Sequence, residues 1–108
     1  MDIEFLRREL KAGKLQVEVV THAAVEAAKD GIESSDIIQA IEGRDVIEDY
    51  ESRALVLHYM SGARIPFHVV LEHRRRDSQV FVVTAYVPDN EHWEKDDRTR
   101  RRRTGRQS

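Results

Sequence analysis

The chain has 108 residues, 40% of them hydrophobic and 35% charged, with a formal net charge of -2 and no cysteine. That length suits one domain with a modest core, and the missing cysteine excludes a disulfide framework, a zinc–thiolate centre and a cysteine nucleophile. No apolar run approaches the roughly 20 residues that span a bilayer. Met1–Leu10 alternates charge instead of joining a basic stretch to an apolar block, so no signal peptide and no membrane partner are expected, and the location is expected to be cytoplasmic.

The N-terminal half reads as helices. Asp2 can cap a first helix with Glu4 in its first turn; Ile3, Leu6 and Leu10 form its apolar stripe and Gly13 ends it. Leu15–Val20 alternates weakly and is expected as a short edge strand. Thr21 is expected to cap a second helix, His22–Asp30, closed by Gly31 with Ile32 folding back on its last turn. Ser34 or Ser35 is expected to cap a third, with Asp36 in its first turn, Ile37, Ile38 and Ile41 as its stripe and Gly43 at its end.

Beyond Gly43 the period changes from helical to alternating. Val46–Glu51, Ala54–Met60, Ile65–His73 and Gln79–Val87 read as four strands, with turns at Ser61-Gly62 and Arg74–Ser78. Pro66 lacks a backbone donor and marks a strand start, and Pro88 stops the last strand. Short connections favour an antiparallel meander. The expected fold is α+β: two or three N-terminal helices on one face of a four- to five-stranded, mostly antiparallel sheet.

In the last hairpin the odd residues Ile65, Phe67, Val69, Leu71, Phe81, Val83, Ala85 and Val87 are expected to share the buried face. A register placing His68 opposite Thr84 and Val70 opposite Val82 keeps them together. It also puts His68, Thr84 and Tyr86 on the face away from the helices.

Residues 89–97 suggest a short helix around Trp93, whose ring is expected to pin this segment to the sheet. The domain is expected to span residues 1–97. Residues 98–108 carry Arg98, Arg100, Arg101, Arg102, Arg103 and Arg106 and no acid, which reads as a disordered tail. The other residues hold 12 bases against 20 acids, an acidic body unusual for a simple RNA binder.

Histidine titrates near neutrality, so His68 on a rigid strand is a candidate acid/base, with Tyr86 as donor, Thr84 orienting a neighbour, and Arg64 or Arg98 meeting phosphate. The bland reading is a half-buried His68 bonded to Thr84 or Tyr86. His22, at a helix N-terminus, and Tyr50, on a strand, each have a packing reading beside the chemical one. His58, His73 and His92 lack metal-motif spacing, and alternation sends Glu48 and Asp49 to opposite faces, so no metal site is expected. No Gly-rich phosphate loop occurs, and no cofactor is implied.

The order Thr21-His22-Ala23, Gly31-Ile32, Ile47 with Asp49-Tyr50, Phe67-His68-Val69, Val83-Thr84-Ala85-Tyr86, Pro88 and Trp93 resembles the bacterial family called domain of unknown function 4258, over roughly residues 15–103. Members of that family look like toxins of the RelE/ParE/BrnT type. The resemblance implies a RelE-like fold and a metal-independent endoribonuclease that cleaves RNA through its own 2′-hydroxyl, with an antitoxin protein and RNA as partners. Together with the residue reading above, it makes His68, Tyr86, Arg98 and His22 the candidates for catalysis, and Arg64, Thr84, Tyr50 and Lys29 those for substrate binding. The chain departs from the family pattern where an arginine usually precedes the Gly-Ile pair; here the stretch is Ala27-Ala28-Lys29-Asp30-Gly31, and lysine is no bidentate phosphate fork. That departure and the acidic body motivate a second reading, a non-catalytic protein-binding module that pairs with a small partner protein. Oligomeric state is left open.

Overall fold

A computed structural model describes residues 1–43, 45–62, 64–74 and 76–102. Among these are three helices, α1 (Ile3–Lys11), α2 (Thr21–Lys29) and α3 (Ser34–Gly43). Five strands accompany them: β1 (Gln16–Val19), β2 (Val46–Asp49), β3 (Arg53–Tyr59), β4 (Pro66–Glu72) and β5 (Gln79–Tyr86). The strands form one sheet in the order β1-β5-β4-β3-β2, antiparallel except for β1, which runs parallel to β5 at an edge. The α+β layout and the edge position of the first strand are as the sequence implies.

Each helix end has a local cause. The Asp2 carboxylate accepts the Phe5 N–H at 3.0 Å. Gly31, at φ 76°, turns the chain after α2 so that its N–H reaches the Ala28 carbonyl and the Ile32 N–H the Ala27 carbonyl, a paired closure that buries Ile32. Two expected caps are corrected. Thr21 lies inside α2, whose flanking residue is Val20 with no side-chain cap, because Val20 is still bonded to the Val82 carbonyl of β5 as the strand runs straight into the helix. At α3 neither serine caps: the Glu33 carbonyl accepts the first helical bonds, and the Asp36 carboxylate reaches back to the Glu33 N–H at 2.8 Å.

The core lies between the helices and one face of the sheet. Leu6, Ala23, Ala27, Ile37, Ala40 and Ile41 pack there against Val56, Phe67, Val69 and Leu71. The last hairpin departs from the expected register. His68 pairs with Tyr86 and Val70 with Thr84, but Leu71 pairs with Val82, so Val83 is an extra residue in β5. The bulge reverses parity along the strand: Val80, Val82 and Ala85 are fully buried, while Phe81 and Val83 are only partly so. β5 carries valine on both parities, and its alternation could not reveal the extra residue. Ile65 is 42% exposed, since β4 starts at Pro66 and leaves Ile65 in the turn.

The second sheet face is covered too. Leu55 and Leu57, neighbours of Val70 and His68 in the β3–β4 ladder, are 3% and 1% exposed. Residues 89–102 form a strap of turns and bends with a Trp93–Arg100 bridge, in place of the helix expected around Trp93. The ring does pin the strap, at 2% exposure. Its carbonyl closes the loop by accepting from the Arg101 side chain. Of the arginine-rich end, Arg98–Arg102 lie within the strap and are described; residues 103–108 lie outside the described residues.

Candidate functional site

His68 is the centre of the strapped face. Its ring has no exposure, and Trp93 meets it edge-on with centroids 4.4 Å apart. Nε2 lies 2.7 Å from the Asp97 carbonyl, which can only accept, so Nε2 carries the hydrogen. Nδ1 is then left to accept from the Tyr86 hydroxyl at 3.3 Å. Burial pushes the His68 pKa below its ordinary value and raises that of Tyr86 to about 12. Both groups are therefore neutral at physiological pH, with their polar atoms committed to each other or to the strap. A sealed ring has no path for exchanging protons with a substrate, so the geometry does not fit the acid/base role expected for His68 and makes it a residue that positions the strap.

The other expected residues divide. Thr84 shares the face of His68 and Tyr86, as parity implies, but its hydroxyl bonds back to the Val83 carbonyl at 2.7 Å. Arg98 is exposed and doubly bonded to the Asp45 carboxylate at 2.7 and 2.9 Å. Arg64 is exposed in the β3–β4 turn at φ 55°. His22 and Lys29 are exposed on α2, whose Ala23 and Ala27 belong to the core on the opposite sheet face; His22 lies 4.0 Å from Glu26. They do not join His68.

Tyr50 instead belongs to a cluster that the sequence did not single out. Glu48 falls on the strapped face because Ile47 is bulged out of the β2–β3 ladder, leaving Glu48 paired with Leu55. Arg100 reaches it from the strap with Nε and Nη2 at 3.0 and 2.9 Å from its two oxygens, while its guanidinium lies 4.5 Å from the Trp93 ring centroid. The Tyr50 hydroxyl donates to Glu48 at 3.1 Å. Bonding to Arg100 lowers the Glu48 pKa, and the Glu48 carboxylate raises that of Tyr50. The result is an ionised carboxylate beside a guanidinium and a protonated phenol: Tyr50 is 58% exposed and the Arg100 side chain 54%, while the Glu48 side chain beneath them is 18% exposed. No period in the sequence marks this cluster, because it joins a bulged strand to a strap of turns and bends.

The donors of Asp89, Glu91 and His92 lie within 4.8 Å of one another, all on exposed residues. Asp89 is already occupied, accepting the N–H groups of Glu91 and His92 and contacting the His92 ring at 2.8 Å, an arrangement that closes a turn. No described helix is long and apolar enough to cross a membrane.

The family model for a domain of unknown function (DUF4258) matches residues 20–87, more than half of the chain, and takes in β2, Tyr50, His68 and Tyr86 but stops short of the strap. No curated protein and no solved structure matches the chain. The chain belongs to the DUF4258 family.

Proposed function

We propose that this domain is a toxin-like, metal-independent endoribonuclease of a toxin–antitoxin pair, and that Glu48, Tyr50 and Arg100 carry the chemistry in place of His68. The observation behind this reading is the Glu48–Arg100–Tyr50 cluster, in which Arg100 and Tyr50 are exposed and Glu48 is partly so. RNA cleavage by its own 2′-hydroxyl needs a proton acceptor, a cation on the phosphate and a donor for the leaving oxygen. Glu48, ionised at neutral pH, takes the 2′-hydroxyl proton as the 2′-oxygen attacks phosphorus. Arg100 spends two of its five N–H groups on Glu48, which leaves three for the phosphate oxygens. The bond from phosphorus to the 5′-oxygen breaks, giving a 2′,3′-cyclic phosphate. The departing oxygen takes the proton of Tyr50, which is exposed and able to turn from Glu48 toward it.

The test is incubation of the purified protein with a fluorescently labelled single-stranded RNA, reading cleavage and the cyclic-phosphate end. Glu48→Gln is expected to slow cleavage by about 100-fold or more, in the range for loss of a general base, and Arg100→Ala by about 100-fold. Wild-type protein that leaves the RNA intact, or variants that cleave as fast as wild type, would overturn the reading. The second reading, a non-catalytic module for a small partner protein, draws support from the sealed His68 ring and from an acidic body whose Arg98 and Arg100 are already neutralised by Asp45 and Glu48. It predicts intact RNA together with a protein that copurifies from the native operon.

A further inference from the structure

We propose that Tyr59 is a stacking platform for a base of single-stranded RNA on the 5′ side of the cut, with Arg98 beside it on the backbone. This inference rests on the reading of Glu48, Tyr50 and Arg100 as the cleaving cluster, and it gives a direction to the strand that they cut.

Tyr59 lies where the second sheet face comes out from under the strap. The β3–β4 ladder is unbroken from Arg53 to Tyr59, so alternation puts Leu55, Leu57 and Tyr59 on that one face. Exposure is 3% at Leu55, 1% at Leu57 and 47% at Tyr59. The strap covers the first two and then leaves. Asp97 turns at φ 59°, and Arg98 reaches out to Asp45, whose carbonyl accepts the Leu57 N–H. Tyr59 follows Leu57 on this face, close enough that its phenol, after Asp45, helps to hold the Arg98 pKa above its ordinary value. Two of the five Arg98 N–H groups go to Asp45, which leaves three for a phosphate. Arg64, exposed in the turn between β3 and β4, has no ion pair among the described residues and adds a second cation at this end. A lone exposed tyrosine is ordinary. Beside guanidinium groups and in line with a cleaving cluster, its ring is what any base can use, a flat π face next to a phosphate contact.

The direction follows from the order of groups along β3. The Tyr50 N–H is bonded to the Arg53 carbonyl, Glu48 pairs with Leu55, Asp45 is bonded to Leu57, and Tyr59 comes last. From Leu55 to Tyr59 the strand rises about 13 Å. Glu48 takes the proton of the attacking 2′-hydroxyl, which belongs to the nucleotide 5′ of the scissile phosphate. Tyr50 protonates the 5′-oxygen of the nucleotide that follows. The 5′ part of the strand therefore runs from Glu48 toward Arg98 and Tyr59, and the 3′ part leaves past Tyr50.

The experiment is steady-state cleavage, by the full chain, of a short RNA methylated at every 2′-oxygen but one, so that a single linkage can be cut. It is compared with versions lacking the bases on the 5′ side or those on the 3′ side of that linkage. Tyr59→Ala is expected to raise KM by about 5-fold or more with kcat nearly unchanged, and Tyr59→Trp to keep the wild-type KM. Removing the 5′ bases should raise the wild-type KM likewise and do nothing further in Tyr59→Ala. Removing the 3′ bases should act equally on both proteins. Tyr59 is about half exposed, so unchanged melting temperatures are expected, and the base-deleted substrates test the wild type without any variant. An unchanged KM in Tyr59→Ala, or a 5′ effect that survives in it, would overturn the proposal and leave Tyr59 a plain surface or protein-contact residue. Wild-type cleavage in that result would keep the reading of the cluster intact. A 3′ effect that vanishes in Tyr59→Ala would overturn the direction, and with it the proposal. Wild type that cuts none of the substrates removes the role of the cluster and this platform together.

Discussion

The cost of removing His68 should appear in folding before it appears in chemistry. His68→Ala leaves the Tyr86 hydroxyl and the Asp97 carbonyl without their partner and opens a cavity beneath Trp93. Such losses together amount to about 3 kcal/mol, which a urea titration would read. The same ring makes stability depend on pH. Its folded pKa lies below 6.5, so above that pH the ring is neutral in both states and its contribution is complete. As pH falls below 6.5, the unfolded chain takes up a proton that the folded ring refuses, and stability declines until the folded pKa is reached. Urea midpoints should therefore drop between about pH 7 and pH 5 in wild type, and His68→Ala should remove much of that slope. An identical slope in the variant would refute the assignment. The carboxylates held low by their partners, Glu48, Asp89 and Asp96, act in a separate window: their contribution is present at higher pH and is lost as pH falls below their ordinary values.

At the scale of elements, the strap is the test case. It is held by Trp93 stacked under Arg100, by the His68 bond to Asp97, and by the pairs Arg98–Asp45 and Arg100–Glu48. The ion pairs are exposed and contribute little, so the buried indole should dominate. Trp93→Ala is expected to cost about 3 to 5 kcal/mol and to increase binding of an apolar dye, because Leu55 and Leu57 lose their cover. Arg98→Ala should change the urea midpoint much less. This contrast also separates what was legible in the sequence from what was not. Trp93 as an anchor could be read from a lone large aromatic after the last strand. That Arg98 and Arg100 would find Asp45 and Glu48 could not, because these contacts join residues about 50 positions apart through a loop without periodicity. Helix ends marked by Gly13 and Gly31 were legible because a positive φ almost demands glycine. The shared face of His68, Thr84 and Tyr86 was legible from parity, yet their pairing was not: one bulged Val83 shifts the register without altering the hydrophobic composition of β5.

For the whole molecule, the question is how a net-acidic body could hold RNA at all. Two exposed arginines of the strap are already matched by carboxylates of the sheet and its approach, Arg98 by Asp45 and Arg100 by Glu48. A phosphate arriving at Arg100 must share or displace Glu48, so RNA binding would exchange one anion for another and be weakened by the group that the proposed chemistry needs. Removing the carboxylate charge should then separate affinity from turnover. Glu48→Gln is expected to abolish most cleavage while binding a single-stranded RNA more tightly, by about 3- to 10-fold, the effect of relieving one like charge at close range in a screened surface site. Asp45→Asn should tighten binding in the same direction and leave the cleavage rate of bound RNA nearly unchanged, because Arg98 lies outside the Glu48–Tyr50–Arg100 cluster. Each arginine freed to meet phosphate should also steepen the decline of affinity with salt, by about 0.7 in the logarithmic slope for a single strand. Anisotropy titrations at several potassium chloride concentrations, run beside the cleavage assay, read both quantities on the same proteins. Tighter binding with lost cleavage in Glu48→Gln identifies Glu48 as a group that works on the RNA. Binding and cleavage lost together would mean that Glu48 serves only to hold Arg100 and the strap in place.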